Sequence, residues 1–228
     1  MQKNKAVIIL GTAHLATTPG KCSPDGRLKE YAYSRELVAD VKEKLEAYGY
    51  HVMVDYEDVT PCKDMQATTA KGQQQRELNY RTKFVNAACK LFKAQNCIYV
   101  SIHVNAAGAA GQWLNARGWS AYTSVGKTKA DMLAECLYAA AVVNLKPYAA
   151  TFPATEKVQK PIRRDMTDGD SDIEAGLYVL QNTNCPAVLT ENMFQDNKTD
   201  VDFLLSEAGR HALAQLHVEG IMKYIESA

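Results

Sequence analysis

KAVIIL, residues 5–10, is a short apolar run that ends at a glycine. A continuous apolar run of this length is typical of a strand buried on both faces of a parallel sheet. From Glu30 to Tyr48 the apolar residues recur at every third or fourth position, and Gly49 stands where a helix commonly ends. HVMVDY, residues 51–56, then has the pattern of a second strand. Residues 5–56 therefore predict a β-α-β unit.

Strand-like and helix-like runs continue to alternate along the rest of the chain. They predict helices at 75–94 and 129–145, one or two closing helices at 201–225, and strands at 97–102, 118–124, 177–181 and 187–190. A polar stretch at 60–75 predicts an exposed loop, and three prolines with an acidic run predict a long surface excursion at 146–176. Such alternation is typical of α/β proteins. We expect one layered α/β domain over residues 1–228, with a mostly parallel twisted sheet and helices on both faces.

The composition is that of an ordinary globular protein. Hydrophobic residues make up 46% of the chain and charged residues 23%, which is enough apolar material for a sizeable core. Lys plus Arg and Asp plus Glu both number 26, so the formal net charge is zero. A neutral chain has no long-range field that draws it to nucleic acid or anionic lipid. We therefore expect neither a nucleic-acid partner nor membrane insertion, and, without a long apolar heptad repeat, a monomer.

Neither the cysteines nor the acidic run forms a known metal motif. The six cysteines contain no C-x-x-C pair, and we interpret them as free thiols, with a disulfide left open. The acidic run contains Asp165, Asp168, Asp170 and Asp172. These aspartates lack the glycine and terminal glutamate spacing of a calcium-binding EF-hand loop, which favours a solvated acidic loop.

Three residues that can bind a metal lie at the ends of predicted elements. His14 follows the first strand, Glu30 begins the first helix, and His103 closes the strand in the stretch SIHVN. The carboxyl ends of the strands form the binding edge of an open α/β sheet, so the two histidines are expected to converge there. Catalytic zinc is commonly held by two histidines and a glutamate, with a fourth position for water. Each residue alone also has a plainer interpretation, as a hydrogen-bonded histidine or a first-turn carboxylate.

Glu191 follows the apolar run PAVLT and is expected at the same edge of the sheet. A carboxylate beside an activated water can accept its proton and pass it to a leaving nitrogen, as in metal-assisted amide hydrolysis. The remaining histidines, His51, His211 and His217, have no metal-ligand partner in the sequence, and we interpret them as structural.

The chain resembles the zinc-dependent N-acetylmuramoyl-L-alanine amidases of the amidase type 3 family, peptidoglycan hydrolases of bacterial cell-wall remodelling and of phage lysins. The resemblance covers nearly the whole chain, through the blocks KAVIILGTAHL, PGKCSPDGRLKE, YRTKFVNA, VSIHVNA and PAVLTENMFQDN. It implies a fold similar to that of zinc exopeptidase-like amidases. It also implies that His14, Glu30 and His103 bind Zn²⁺ and that Glu191 is the catalytic glutamate. Arg81 and Asn86 match helix positions to which we assign a structural role.

The activity implied by the resemblance is hydrolysis, by zinc-activated water, of the amide between the lactyl group of N-acetylmuramic acid and L-alanine of the stem peptide. Two alternatives stay open. The first is a zinc peptidase or carboxypeptidase that acts on another amide, and the second is a non-catalytic module that binds the cell wall.

Two positions depart from the family pattern. The family usually has D-x-G-H-G around its first histidine, whereas this chain has Gly11, Ala13 and Leu15 at those places. Loss of the aspartate removes a contact that would orient His14, and the loss of such contacts commonly lowers metal affinity by about 10- to 100-fold. Met193 stands where the family often has a glycine, and we expect it to narrow the pocket beside Glu191.

The substrate places the site of action at the cell wall, in the periplasm or outside the cell. The first apolar run is too short for the core of a signal peptide or for a membrane span. We therefore expect either a phage-type endolysin made in the cytoplasm or a chain whose leader has been removed, and we favour the endolysin.

Overall fold

The apolar runs of the sequence become the strands of a sheet. The computed structural model describes residues 1–108, 111–152 and 161–227. The strands in these residues are β1 (Val7–Thr12), β2 (His51–Val54), β3 (Cys97–Asn105), β4 (Ser120–Thr123), β5 (Ile173–Glu174) and β6 (Ala187–Phe194). They form one sheet in the order β2-β1-β3-β6-β4-β5. The first four strands of this order run parallel, while β4 is antiparallel to β6 and parallel to β5. The predicted mostly parallel sheet is confirmed.

Helices cover both faces of the sheet, as predicted. They are α1 (Glu30–Ala47), α2 (Ala70–Phe92), α3 (Lys129–Asn144), α4 (Lys146–Ala149), α5 (Tyr178–Gln181), α6 (Lys198–Leu205) and α7 (Glu207–Ser227). Successive side chains of a strand point to opposite faces. Ile8 of β1 therefore packs in the core beneath α1, α3 and α7, whereas Val7 and Ile9 pack in a smaller core beneath α2. Within the described ranges, no helix has the length and apolar character that spanning a membrane requires.

The first β-α-β unit follows the sequence prediction closely. α1 ends at Ala47, and Gly49 has a φ angle of 82°, the left-handed conformation that commonly ends a helix. The second helix begins earlier than predicted. The side chain of Thr69 accepts a hydrogen bond from Gly72 N at 3.1 Å and so caps α2, which starts at Ala70. Only the first part of the predicted exposed loop at 60–75 is therefore a loop.

The strand predicted at 177–181 is wrong. Residues Tyr178–Gln181 form the single turn α5, whose Val179 and Leu180 are buried in the smaller core. A five-residue apolar run does not by itself distinguish a buried strand from a buried helical turn. Burial is compatible with both patterns, and α5 packs against α2 and β6.

The long excursion at 146–176 is only partly irregular. It contains α4 and β5, and its residues 153–160, Pro153 among them, lie outside the described residues. Asp165 and Asp168 are partly or fully exposed, as expected for a solvated acidic loop. Asp172 is not, because its side chain lies against Thr123 of β4 and the residue is only 1% exposed. The six cysteines are free thiols.

A buried histidine joins the last helix to the sheet. Nε2 of His217 lies 2.9 Å from the hydroxyl of Thr190 on β6, and its Nδ1 lies 2.7 Å from the carbonyl oxygen of Leu213. Nδ1 donates to this carbonyl, and in the neutral imidazole that burial favours, Nε2 accepts from the hydroxyl of Thr190. Burial lowers the pKa of His217 from 6.5 to about 4.

Because the folded chain holds His217 in its neutral form, we expect the free energy of unfolding to fall in mild acid. The unfolded chain protonates this histidine near pH 6.5, whereas the folded chain does so only near pH 4. The stabilising contribution is therefore present above about pH 6.5 and is lost as the pH falls toward 4, to a total on the order of 3 kcal/mol. Denaturant unfolding at about pH 7 and about pH 5 should show a larger loss of unfolding free energy for the wild type than for His217→Gln. Equal losses in the two proteins would contradict this role.

Candidate metal centre

Three side chains from separate elements meet at the carboxyl edge of the parallel strands. His14 lies in the loop after β1, Glu30 is the first residue of α1, and His103 lies near the end of β3. One ligand atom of each lies within 4.8 Å of the other two. The structure thus brings together the three residues singled out in the sequence, with His103 inside the strand rather than beyond it.

Glu30 lies between the two imidazoles. Its Oε1 lies 3.1 Å from Nδ1 of His103, and its Oε2 lies 3.6 Å from Nε2 of His14. The two rings are perpendicular, with centroids 5.2 Å apart. Val104 N donates to Oε1 of Glu30 at 3.2 Å, but Oε2 is buried and has no hydrogen-bond partner. A buried carboxylate oxygen without a donor is uncommon and calls for a cation or another partner.

The protonation states of these residues suit a metal. Burial lowers the pKa of His14 to about 3, although the charge of Glu30 opposes the effect. Burial alone would raise the pKa of Glu30, but its hydrogen bond with His103 and the neighbouring positive charges outweigh burial and lower it. At neutral pH His14 is therefore neutral and Glu30 is ionised, the forms that bind metal ions. Two imidazoles and one carboxylate are a donor set that fits zinc.

Glu191 lies beside this group, directly opposite His103 in the pairing of β3 with β6. It lies within β6, which continues to Phe194, and not after the strand as the sequence suggested. The residue is partly exposed, yet its Oε2 is buried without a hydrogen-bond partner. Burial raises the pKa of Glu191 well above its usual range, and the negative charge of Glu30 adds to the effect.

An irregularity in β6 follows Glu191. His103 pairs with Glu191 and Asn105 pairs with Phe194, so β6 has one residue more than β3 between these pairs. Met193, within this irregularity, has a φ angle of 66°. This is the left-handed region that favours glycine, which accounts for a glycine being usual here in the resembling family. Met193 itself is fully buried in the larger core. The predicted narrowing of the pocket stays a prediction.

The irregularity also fixes the backbone of His103. Nδ2 of Asn192 donates to the carbonyl oxygen of His103 at 2.9 Å, and Oδ1 of Asn192 accepts from Nε1 of Trp119 at 3.0 Å. Sequence reasoning missed Asn192, although its place directly after the candidate acid was a usable signal. It also missed Lys21, whose Nζ lies 3.7 Å from Oε2 of Glu30 and which no pattern in the sequence singles out.

The other residues named from the sequence lie apart from the three candidate ligands or support them from behind. Asn86 donates to the carbonyl oxygen of Asn182 and holds the turn before β6, while Arg81 is buried among carboxylates behind the loop of His14. His51 and His211 are exposed. The structural role of His51 and His211 stays a prediction.

Comparison with known proteins places this site in a family context. A family model described as N-acetylmuramoyl-L-alanine amidase matches residues 8–223. An endolysin of Bacillus phage SPP1 is 36% identical over 70 residues, which are 31% of this chain and 26% of the phage protein. The chain thus matches about a quarter of the length of this relative.

Solved structures share the fold. The CwlD amidase of Clostridioides difficile, solved in complex with the GerS lipoprotein, superposes with a TM-score of 0.72 at 20% identity, over 98% of this chain and 100% of that one. The catalytic domain of CwlV, an N-acetylmuramoyl-L-alanine amidase of Paenibacillus polymyxa, gives a TM-score of 0.67 at 19% identity, over 98% and 99% of the two chains. At this level of identity the likeness establishes the fold.

Proposed function

We infer that this chain, which belongs to the N-acetylmuramoyl-L-alanine amidase family, is a peptidoglycan hydrolase. The bond it cleaves is the amide between the lactyl group of N-acetylmuramic acid and L-alanine of the stem peptide. The observation that carries this proposal is the meeting of His14, Glu30 and His103 beside Glu191 at one edge of the sheet. Residues 1–228 would then act as one catalytic domain.

We propose that His14, Glu30 and His103 hold a zinc ion. The donor set, the neutral state of His14 and the buried oxygen of Glu30 that lacks a hydrogen bond support this assignment. When bound, Zn²⁺ supplies a Lewis acid that polarises the amide carbonyl and makes a water molecule more acidic.

Glu191 is the proposed acid and base of the reaction. Its carboxylate accepts a proton from the attacking water and donates it to the leaving nitrogen of L-alanine, which departs as an amine. Its position opposite His103, one of the three candidate ligands, supports this role. Lys21 places a positive charge 3.7 Å from the carboxylate of Glu30.

Product analysis tests the activity. Purified sacculi incubated with the zinc-loaded protein should release stem peptides with new free amino groups on L-alanine. Labelling the amino termini after this digestion, and before acid hydrolysis of the released peptides, would identify the labelled residue. Glu191→Gln is the control and should release these peptides about 10²- to 10⁴-fold more slowly. Release of D-alanine instead would support the zinc peptidase alternative, and binding to sacculi without any release would support the non-catalytic module.

The substrate also sets the partner and the place of action. We propose that the chain acts on peptidoglycan at the cell wall as a monomer, in the manner of an endolysin. Similarity to a phage endolysin over 70 residues supports this assignment.

A further inference from the structure

His14 has an unusual backbone conformation. Its φ angle is 42°, in the left-handed region that residues other than glycine, asparagine and aspartate seldom adopt. Its neighbours Ala13 and Leu15 are both 0% exposed. The loop therefore turns tightly between two buried apolar side chains, and the imidazole keeps its direction only if other groups hold the turn.

Two arginines hold this turn through its carbonyl groups. Nη1 of Arg35 donates to the carbonyl oxygens of Ala13 and His14, both at 3.0 Å. Nη2 of Arg81 donates to the carbonyl oxygen of His14 at 3.4 Å. On the other side of the turn, Ala13 N donates to Oγ of Ser34 at 2.8 Å. Side chains of α1 and α2 thus hold the turn at Ala13 and His14, in addition to the bond from Leu15 N to Oγ1 of Thr18 within the loop.

Arg81 is in turn fixed by two buried carboxylates. Its Nη1 lies 2.7 Å from Oδ1 of Asp55, and its Nη2 lies 2.9 Å from Oε1 of Glu77. Asp55 directly follows β2, and its Oδ1 also accepts from Thr12 N at 3.0 Å. Asp55 is therefore bonded to the backbone two residues before His14 and to the arginine that binds the carbonyl of His14.

Gly11 leaves room for a third partner of Asp55. The hydroxyl of Tyr99 donates to Oδ2 of Asp55 at 2.9 Å. A Cβ atom at residue 11 would collide with this hydroxyl. A larger residue at position 11 would therefore displace the Tyr99 hydroxyl from Asp55. The family that the chain resembles usually has an aspartate at this position of β1. This chain has Gly11 there, and the buried carboxylate of Asp55 follows the neighbouring strand β2.

We propose that Asp55 is a positioning residue for His14. It fixes the backbone of Thr12 directly and the carbonyl of His14 through Arg81, and so sets the direction of the imidazole at the candidate metal centre. The inference rests on the proposed zinc site. Asp55 itself touches neither the candidate ligands' side chains nor Glu191 in the hydrogen bonds of the described residues.

Asp55→Asn tests the proposal with little risk to the fold. The substitution keeps the shape of the side chain, and Arg81 stays paired with Glu77, so no buried charge is left alone. Zinc affinity, measured by competition with a chromophoric chelator, should fall by about 10-fold, the lower end of the loss for groups bonded directly to a ligand, because Asp55 acts through Arg81 and the backbone. The visible absorption of the cobalt-substituted variant should also differ from that of the wild type, because the orientation of one imidazole changes.

Asp200→Asn is the matched control. Asp200 is equally buried, accepts from the backbone N–H groups of Gly118 and Phe194 at 2.9 and 3.0 Å, and lies 3.4 Å from an arginine, but it has no contact with the loop of His14. Both variants should lose thermal stability, and only Asp55→Asn should lose zinc affinity. Tyr99→Phe, which removes one hydrogen bond from Asp55, should cause a smaller loss of affinity of the same kind.

The outcomes separate this inference from the proposed function. Unchanged zinc affinity and an unchanged cobalt spectrum in Asp55→Asn would overturn the positioning role while leaving the zinc site intact. If Asp55→Asn does not fold, unchanged affinity in Tyr99→Phe overturns the role in its place. A wild-type chain that binds no zinc would overturn the proposed metal centre and, with it, this inference.

Discussion

Glu191→Gln is expected to lower kcat by about 10²- to 10⁴-fold, the range typical of a lost general acid or base. Glutamine keeps the size and one oxygen of the side chain but neither accepts the proton of water nor donates one to the leaving nitrogen. The residue lies opposite His103 and is not one of the three grouped ligands, so zinc binding should persist. Rates of peptide release from sacculi and the zinc content of the same samples measure both effects.

Zinc content is the control that gives the loss of rate its meaning. A variant that loses activity together with its metal would place Glu191 among the ligands instead. A variant that keeps the wild-type rate would remove the residue from the mechanism altogether. Because Oε2 of Glu191 has no hydrogen-bond partner in the fold, the substitution breaks no structural contact of that atom, and stability should change little.

Glu30→Gln is expected to have an even larger effect, because it removes the negative charge between two imidazoles. Zinc affinity should fall by more than the roughly 100-fold that the loss of a contact behind a ligand causes, and activity should fall with it. The amide can still accept from Val104 N, whose bond to Oε1 measures 3.2 Å, so the start of α1 should stay in place. Elemental analysis after dialysis against a weak chelator measures the metal content.

Glu36→Gln is the matched control for that loss. Glu36 lies on the same helix, but it is exposed and its carboxylate pairs with Arg210 at 3.3 Å instead of with the histidines. Zinc content and activity should be those of the wild type. Equal zinc content in Glu30→Gln and Glu36→Gln would contradict the role of Glu30 as a ligand.

The sequence was sufficient to predict the candidate ligands because each lies at the end of a recognisable element. An apolar run before His14, a helix that begins at Glu30 and a strand that carries His103 place all three at one edge of a parallel sheet. Glu191 was found in the same way. The exact place of Glu191 within β6 could not be predicted, because the continuation of that strand depends on the pairing of β6 with β3 and β4.

The groups that hold the site could not be predicted, because they depend on contacts between distant parts of the chain. Asp55 meets Tyr99 across 44 residues and Thr12 across 43. Asp172 lies in an acidic run that looks solvated, yet it is buried and in contact with Thr123, 49 residues away. Periodicity and turn signals describe a residue's own element and not the side chains that other elements bring to it.

Anomalous X-ray diffraction from crystals grown with zinc, recorded on both sides of the zinc absorption edge, shows directly where the metal binds. We expect one strong anomalous peak bounded by a ring nitrogen of His14, the carboxylate of Glu30 and a ring nitrogen of His103, with Glu191 close to it. A peak at another place, or these three side chains without any peak between them, would contradict the zinc centre on which the proposed hydrolysis depends.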